Sequence, residues 1–165
     1  MIDLPDHLTR LFTRDLGTFR RELELFPDDE TVWRVLPGVS NSAGTLALHA
    51  CGNMRHFVGA GLGASAYVRD RDAEFSRRGV SREELTREID QTIAEVRDAL
   101  SHLDPKIFDL PWPQPVGGAT LPTGLFLMHL ATHLAFHLGQ AGYLRRVLTG
   151  VDQASGAVSP AALGA

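Results

Sequence analysis

The sequence predicts an all-α protein built as a bundle of four long helices. Apolar residues recur at three- and four-residue steps along four separate stretches. Helix-starting and helix-ending residues bracket those stretches, and no region has the alternating pattern of a sheet. No internal repeat is evident.

The first helix is expected from Asp6 to Phe26, where Leu8, Leu11, Phe12, Leu16, Phe19, Leu23 and Phe26 form one apolar stripe. Pro5 and Asp6 suit a helix amino end, and Pro27, with no N–H to donate, stops the helix. Residues 27–41 read as a connecting loop whose Trp33 packs on the bundle. Ser40, Asn41 and Ser42 then offer N-cap oxygens to a second helix, Ala43 to Gly59. Its Gly44 and Gly52 each cost roughly 1 kcal/mol of helix propensity relative to alanine, and such glycines are expected to let another backbone come close. The run Gly59-Ala60-Gly61-Leu62-Gly63-Ala64 has the glycine spacing of a dinucleotide-binding loop, but it follows a helix and not a strand. It reads as a helix terminator leading into a mobile, charged connection from Tyr67 to Gly79.

The third helix opens on the capping box Ser81-Arg82-Glu83-Glu84 and continues through Leu85, Ile89, Ile93, Val96, Leu100 and Leu103. Asp104 to Thr120 contains Pro105, Pro111, Pro113, Pro115 and Gly117-Gly118, which excludes helix and leaves a long irregular loop or a short hairpin. Trp112 in that loop is placed to cover a pocket. The fourth helix begins between Thr120 and Thr123 and ends at Thr149-Gly150. Residues 1–150 form a single domain on this reading, followed by an Ala/Gly/Ser-rich tail, 151–165, expected to be loosely ordered.

The 165 residues are enough for one core without disulfide or metal staples, so a bound metal is expected to serve function more than folding. Hydrophobic residues at 44% and charged residues at 22% are those of an ordinary globular protein. Sixteen Lys and Arg against 20 Asp and Glu give a formal charge of -4, and no basic cluster exceeds a pair, so nucleic acid is not an expected partner. The single Cys51 excludes an intrachain disulfide and fits a reducing compartment. The amino terminus lacks the features of a signal peptide, and no apolar run is long enough to span a bilayer. The expectation is a cytoplasmic protein with no membrane partner.

His129, His133 and His137 stand four apart on the fourth helix, so their imidazoles form a column on one face. Neutral imidazole is a ligand for divalent transition metals, and a His-x-x-x-His pair presents two nitrogens to one ion. The column drifts by about 40° every four residues, so a straight helix does not aim all three at one point, and spacing alone does not choose the adjacent pair. His49, on the apolar side of the second helix, supplies a candidate from a facing element, as metal sites in helix bundles require. Two ligands from one helix and one from another make a three-histidine site that keeps open positions. His56 shares a face with His49 but is two turns away; it and the remaining histidine of the column are expected to line a pocket. Cys51 reads as a small buried hydrophobe, since it projects from a different face than His49.

Trp33, Pro37-Gly38, the run Leu46-Ala47-Leu48-His49-Ala50-Cys51-Gly52-Asn53 and the late His133-Leu134-Ala135-Phe136-His137-Leu138-Gly139-Gln140 together resemble the DinB/YfiT-like superfamily, from about residue 6 to 150. The resemblance implies an up-down-down-up four-helix bundle with a divalent metal, zinc or nickel, held by three histidines that fall on His49, His133 and His137. Members of the family include metal-dependent S-transferases and isomerases that use low-molecular-weight thiols such as bacillithiol, mycothiol or glutathione, and homodimers are frequent. Leu138 stands where the pattern often has a basic residue, so thiol preference does not transfer. The expected function is therefore a metal-dependent thiol S-transferase or isomerase acting on a small molecule, with Asn53, His56, His129, Gln140 and Trp112 as pocket or orienting residues. The alternatives are a non-catalytic ligand-binding bundle and a metal-dependent hydrolase, the latter lacking a general base near the column in sequence.

Overall fold

A computed structural model describes residues 3–156 and 159–164. Its helices, in chain order, are α1 (Leu4–Glu24), α2 (Asp29–Val32), α3 (Ala43–Met54), α4 (Arg71–Ser76), α5 (Arg82–Ser101) and α6 (Thr123–Thr149). No strand forms among the described residues, and two isolated bridges, Pro111 to Pro122 and Val116 to Ala119, are the only sheet-like pairings there. The protein is all-α, as the periodicity predicts.

The Asp3 side chain accepts from the Asp6 amide to start α1, whose Leu8, Phe12, Leu16, Phe19 and Leu23 are buried against α5 and α6. Burying each such side chain is worth about 1.5–3 kcal/mol, so this one stripe supplies a large share of the core. α5 carries the predicted capping box, with Ser81 and Glu84 each satisfying the other's amide, and buries Leu85, Ile89, Val96 and Leu100. α3 starts on Ser42, whose hydroxyl accepts from the Thr45 amide, and all twelve of its residues are buried. It is the central helix of the bundle.

Four expectations about the secondary structure need correction. The second predicted helix does not run regularly to Gly59: after Met54 the chain widens into a π-helical turn, Arg55–Ala60. The segment from Tyr67 to Gly79 is not a mobile connection. It contains α4, capped by Asp70 and docked on α3, with Arg69 and Glu74 paired inward and its other charges exposed. Helix is not wholly absent from 104–120, because Pro105–Asp109 forms a 3-10 turn with proline in its first positions, where no N–H is required. The loop at 27–41 likewise holds the single-turn α2, whose start is fixed by the Asp28 carboxylate accepting from the Thr31 amide at 2.7 Å. The rest of 104–120 is hairpin-like. Gly117 and Gly118, at φ +58° and +82°, make a turn that L side chains resist, and Val116 and Ala119 exchange both backbone bonds across it.

The glycines of α3 make room for side chains, not for a backbone as expected. A Cβ on Gly44 would lie 2.9 Å from the Trp33 ring, whose indole N–H donates to the Val80 carbonyl, so Trp33 does pack on the bundle. Gly142 of α6 plays the same part, facing the carboxylate of Glu22 from α1 at 3.2 Å from where its Cβ would stand. Glu22 accepts from Arg145, which is fully buried and also donates to the carbonyls of Val151 and Gln153. Arg21 donates to the Ser155 carbonyl at 2.7 Å. Residues 151–155 are thereby laid against α1 and α6. No helix of the described residues is long and apolar enough to cross a membrane.

Arg145→Ala leaves the buried Glu22 carboxylate without its cation, and the expected outcome is a loss of about 3–5 kcal/mol of unfolding free energy. Urea unfolding followed by circular dichroism checks it; a loss below about 1 kcal/mol would show that water replaces the guanidinium at little cost.

Candidate metal centre

α3 and α6 pack side by side and run antiparallel, so that His49 meets His133 and His137 while Phe57 meets Phe126. The ring centroid of His49 is 5.3 Å from that of His133 and 5.0 Å from that of His137, both edge-on. Each of the three residues offers a ligand nitrogen, and these atoms all lie within 4.8 Å of one another. The Nε2 atoms of His133 and His137 are 3.0 Å apart. Two nitrogens bound to one zinc at about 2.0–2.1 Å in tetrahedral geometry stand about 3.4 Å apart, so small ring rotations bring this set onto a single ion. The donor set fits a divalent metal.

The far side of two rings is fixed. His49 Nδ1 pairs with Glu74 Oε2 at 2.8 Å, and His137 Nδ1 pairs with Gln140 Oε1 at 2.8 Å. Both partners are acceptors there, so each Nδ1 carries the proton and each Nε2 keeps its lone pair for the shared point. Burial and the neighbouring imidazoles push His133 down to about 4. Burial also lowers His137, against the opposing bond to Gln140. Both rings are therefore neutral at pH 7, the state a ligand requires.

Glu74 is the functional residue that the sequence reading missed. It sits on α4, 5% exposed, and Arg69 donates to both of its oxygens, at 2.6 and 2.9 Å. Burial opposes its ionisation, but the bonds to His49 and Arg69 outweigh that and hold the carboxyl below the usual range. Gly52 makes this possible, since a Cβ there would stand 2.1 Å from Glu74 Oε1. Phe75, the next residue of α4, lies against the His49 ring at 4.9 Å between centroids. Two signals pointed here: Asp70 as an N-cap for a short helix, and a glycine three residues after His49 on a helix with no turn to make.

The other candidates fall around the triad. His129 is exposed and stacks between Phe126 and His133, outside the group of three. Asn53, one turn beyond His49, is 8% exposed and its Oδ1 has no hydrogen-bond partner. His56 lies on the π-helical turn beside Phe57 and, with Trp112, lines a cavity of about 280 Å3. Trp112 is buried against Phe57 and Phe126. Cys51 is buried next to the site but not in it, and burial pushes its thiol up to about 12.

A helical bundle in which two helices bring three imidazoles to one point, two of them backed by an acceptor at Nδ1, belongs to the class of bundle proteins able to hold a divalent metal between their helices. The particular family follows from comparison: the profile of the DinB superfamily matches residues 11–141, and the chain belongs to that superfamily. Neither a curated protein nor a solved structure gave a match.

Glu74→Gln keeps the shape but removes the charge that fixes His49, and zinc affinity measured by chelator competition is expected to fall about 10–100-fold. Gly52→Ala displaces the same carboxylate and is expected to fall in the same range. Unchanged affinity in both would mean that α4 does not orient the ligand. Cys51 is expected to resist alkylation at pH 8 in the folded protein and to react fully once the chain is unfolded, as read by mass spectrometry.

Proposed function

We propose that this chain is a divalent-metal-dependent enzyme of the thiol S-transferase or isomerase type, using a low-molecular-weight thiol and a small-molecule substrate. The observation that carries the reading is the convergence of His49, His133 and His137, with the last two only partly buried, so that an ion held there stays reachable from one side. When bound, a zinc or nickel ion supplies Lewis acidity that lowers the pKa of a thiol or water brought to it. The protein's own part is to hold protons in place. Glu74 keeps one at His49 Nδ1, and Gln140 keeps one at His137 Nδ1.

The hydrolase reading needs a free general base. Glu74 is the carboxylate that touches the triad, and both of its oxygens are engaged by Arg69 and His49, so it serves better as an anchor than as a base. A homodimer is supported by the outer face of α6. There Leu125, Met128, Phe136, Tyr143 and Val147 are 51%, 49%, 62%, 70% and 64% exposed, and their spacing is nearly symmetric about Phe136. Two copies crossing antiparallel at Phe136 would bury unlike ends of the stripe against each other.

Purified protein is expected to carry about one zinc or nickel per chain by elemental analysis, and the His49→Ala/His133→Ala/His137→Ala triple variant is expected to carry none. Thiol-dependent consumption of small electrophiles should disappear with chelator and return on adding the metal. A metal content that survives the triple substitution would sink the site, and metal binding without any thiol-dependent turnover would favour a non-catalytic ligand-binding bundle.

A further inference from the structure

Two cavities flank the histidine triad along the seam between α3 and α6. The larger, about 470 Å3, lies past Gln140 and opens between Tyr143 and Val147 on the exposed face of α6. The smaller, about 280 Å3, lies beyond the other side of the triad and is walled by His56, Phe57, Tyr67, Trp112 and Gln114. Its aromatic wall is continuous with the metal centre. His133 stacks on His129 at 5.9 Å, His129 on Phe126 at 6.2 Å, and Phe126 meets Phe57 and Trp112 at 5.0 and 4.9 Å between ring centroids. By the antiparallel register, Asn53 falls between the triad and this recess, and its buried Oδ1 lacks a protein partner.

The charges around the recess are already satisfied. Arg55 lies 4.2 Å over the Tyr67 ring while donating to Glu95 and Glu88, and Arg69 lies 5.6 Å from the Phe57 ring centroid while donating to both oxygens of Glu74. Burial raises Tyr67 and lowers His56, so both are neutral at pH 7. An anion entering here finds no unshared cation, and an aliphatic ligand forfeits the stacking that four ring-bearing side chains offer. The volume is just under the range of ligand cavities, about 300 to 1,000 Å3, so one or two rings fill it.

We propose that this recess binds an uncharged aromatic molecule of one or two rings, seated against Phe57 and Trp112 with a hydrogen-bonding substituent directed along the seam toward Asn53. Its role as co-substrate at the triad rests on the function proposed above; the binding does not.

Two-dimensional NMR of the full chain tests it, with 2-naphthol, 2-naphthoate and cyclohexanol as probes. Trp33 is an internal control, because its indole N–H is bonded to the Val80 carbonyl, away from the recess. The expected result is a saturable shift of the Trp112 indole resonance with 2-naphthol, no shift of Trp33, and affinities for the other two probes weaker by about tenfold or more. Ala60→Phe fills the recess from the π-helical turn and should weaken 2-naphthol by about tenfold while zinc stoichiometry is unchanged. Gln114 is exposed, and Gln114→Lys should fold whatever Ala60→Phe does; by adding a free cation at the rim it should raise affinity for 2-naphthoate severalfold relative to 2-naphthol. An unmoved Trp112 resonance, equal binding of naphthol and naphthoate to the unsubstituted chain, or no gain for naphthoate in Gln114→Lys overturns the proposal. Loss of zinc binding alone would sink the metal function and leave the recess standing.

Discussion

The Glu74 carboxylate ties together three segments that would otherwise have no reason to meet. Burying a carboxylate is costly unless its oxygens are hydrogen-bonded and its charge is paired. Arg69 from the loop before α4 and His49 from α3 supply the partners, and Gly52 leaves the space. Each contribution depends on the others. Without Gly52 the carboxylate has no seat; without Arg69 its charge is unbalanced; without Glu74 the Nδ1 of His49 has no fixed acceptor. The same contact that docks α4 therefore sets the tautomer of a metal-ligating ring.

The pair Glu22 and Arg145 repeats this device on the opposite side of α6. There Gly142 makes the room, a glutamate from α1 is buried, and an arginine of α6 neutralises it while collecting carbonyls of the following segment. In both places a glycine within a long helix gives up roughly 1 kcal/mol of helix propensity, offset by seating a charged side chain that orders a non-helical stretch. One instance lays residues 151–155 on the bundle and the other orients the triad. Both explain glycines that look like weak points when each helix is considered alone.

Legibility in the sequence followed length. α1, α5 and α6 repeat their apolar pattern for five turns or more, so period and caps locate them, and the capping box at Ser81 is in the structure as read. α2 and α4 have four and six residues, less than two turns each, and so short a stretch carries no period. Glu74 was hidden for a further reason. Pattern reading assigns charged residues to solvent, and nothing local to Arg69, Arg71, Asp72 and Glu74 distinguishes the two that turn inward from those that do not. The triad was legible because its signal is double, the four-residue step on α6 and a histidine on an apolar face of another helix, with the family pattern choosing between His129 and His137. The sequence offers Gln140 as an orienting candidate, but the atom it touches, His137 Nδ1, comes only from the three-dimensional structure.

The π-helical turn at 55–60 accounts for why the recess lies in line with the triad. On a regular helix, residues at four-residue steps drift by about 40° each time, so Phe57, two such steps after His49, would be carried well off the α3/α6 seam. A π turn closes its hydrogen bonds over five residues and advances less per residue, which turns the chain back against that drift. Phe57 consequently meets Phe126 at 5.0 Å, edge to face, in the same seam where His49 meets His133 and His137. Gly61 lets Trp112 close over the end of the turn, since a Cβ there would crowd the indole at 3.0 Å. The irregularity in α3 and the hairpin that carries Trp112 are thus one arrangement: the helix is widened where an aromatic wall has to stay aligned with the metal centre.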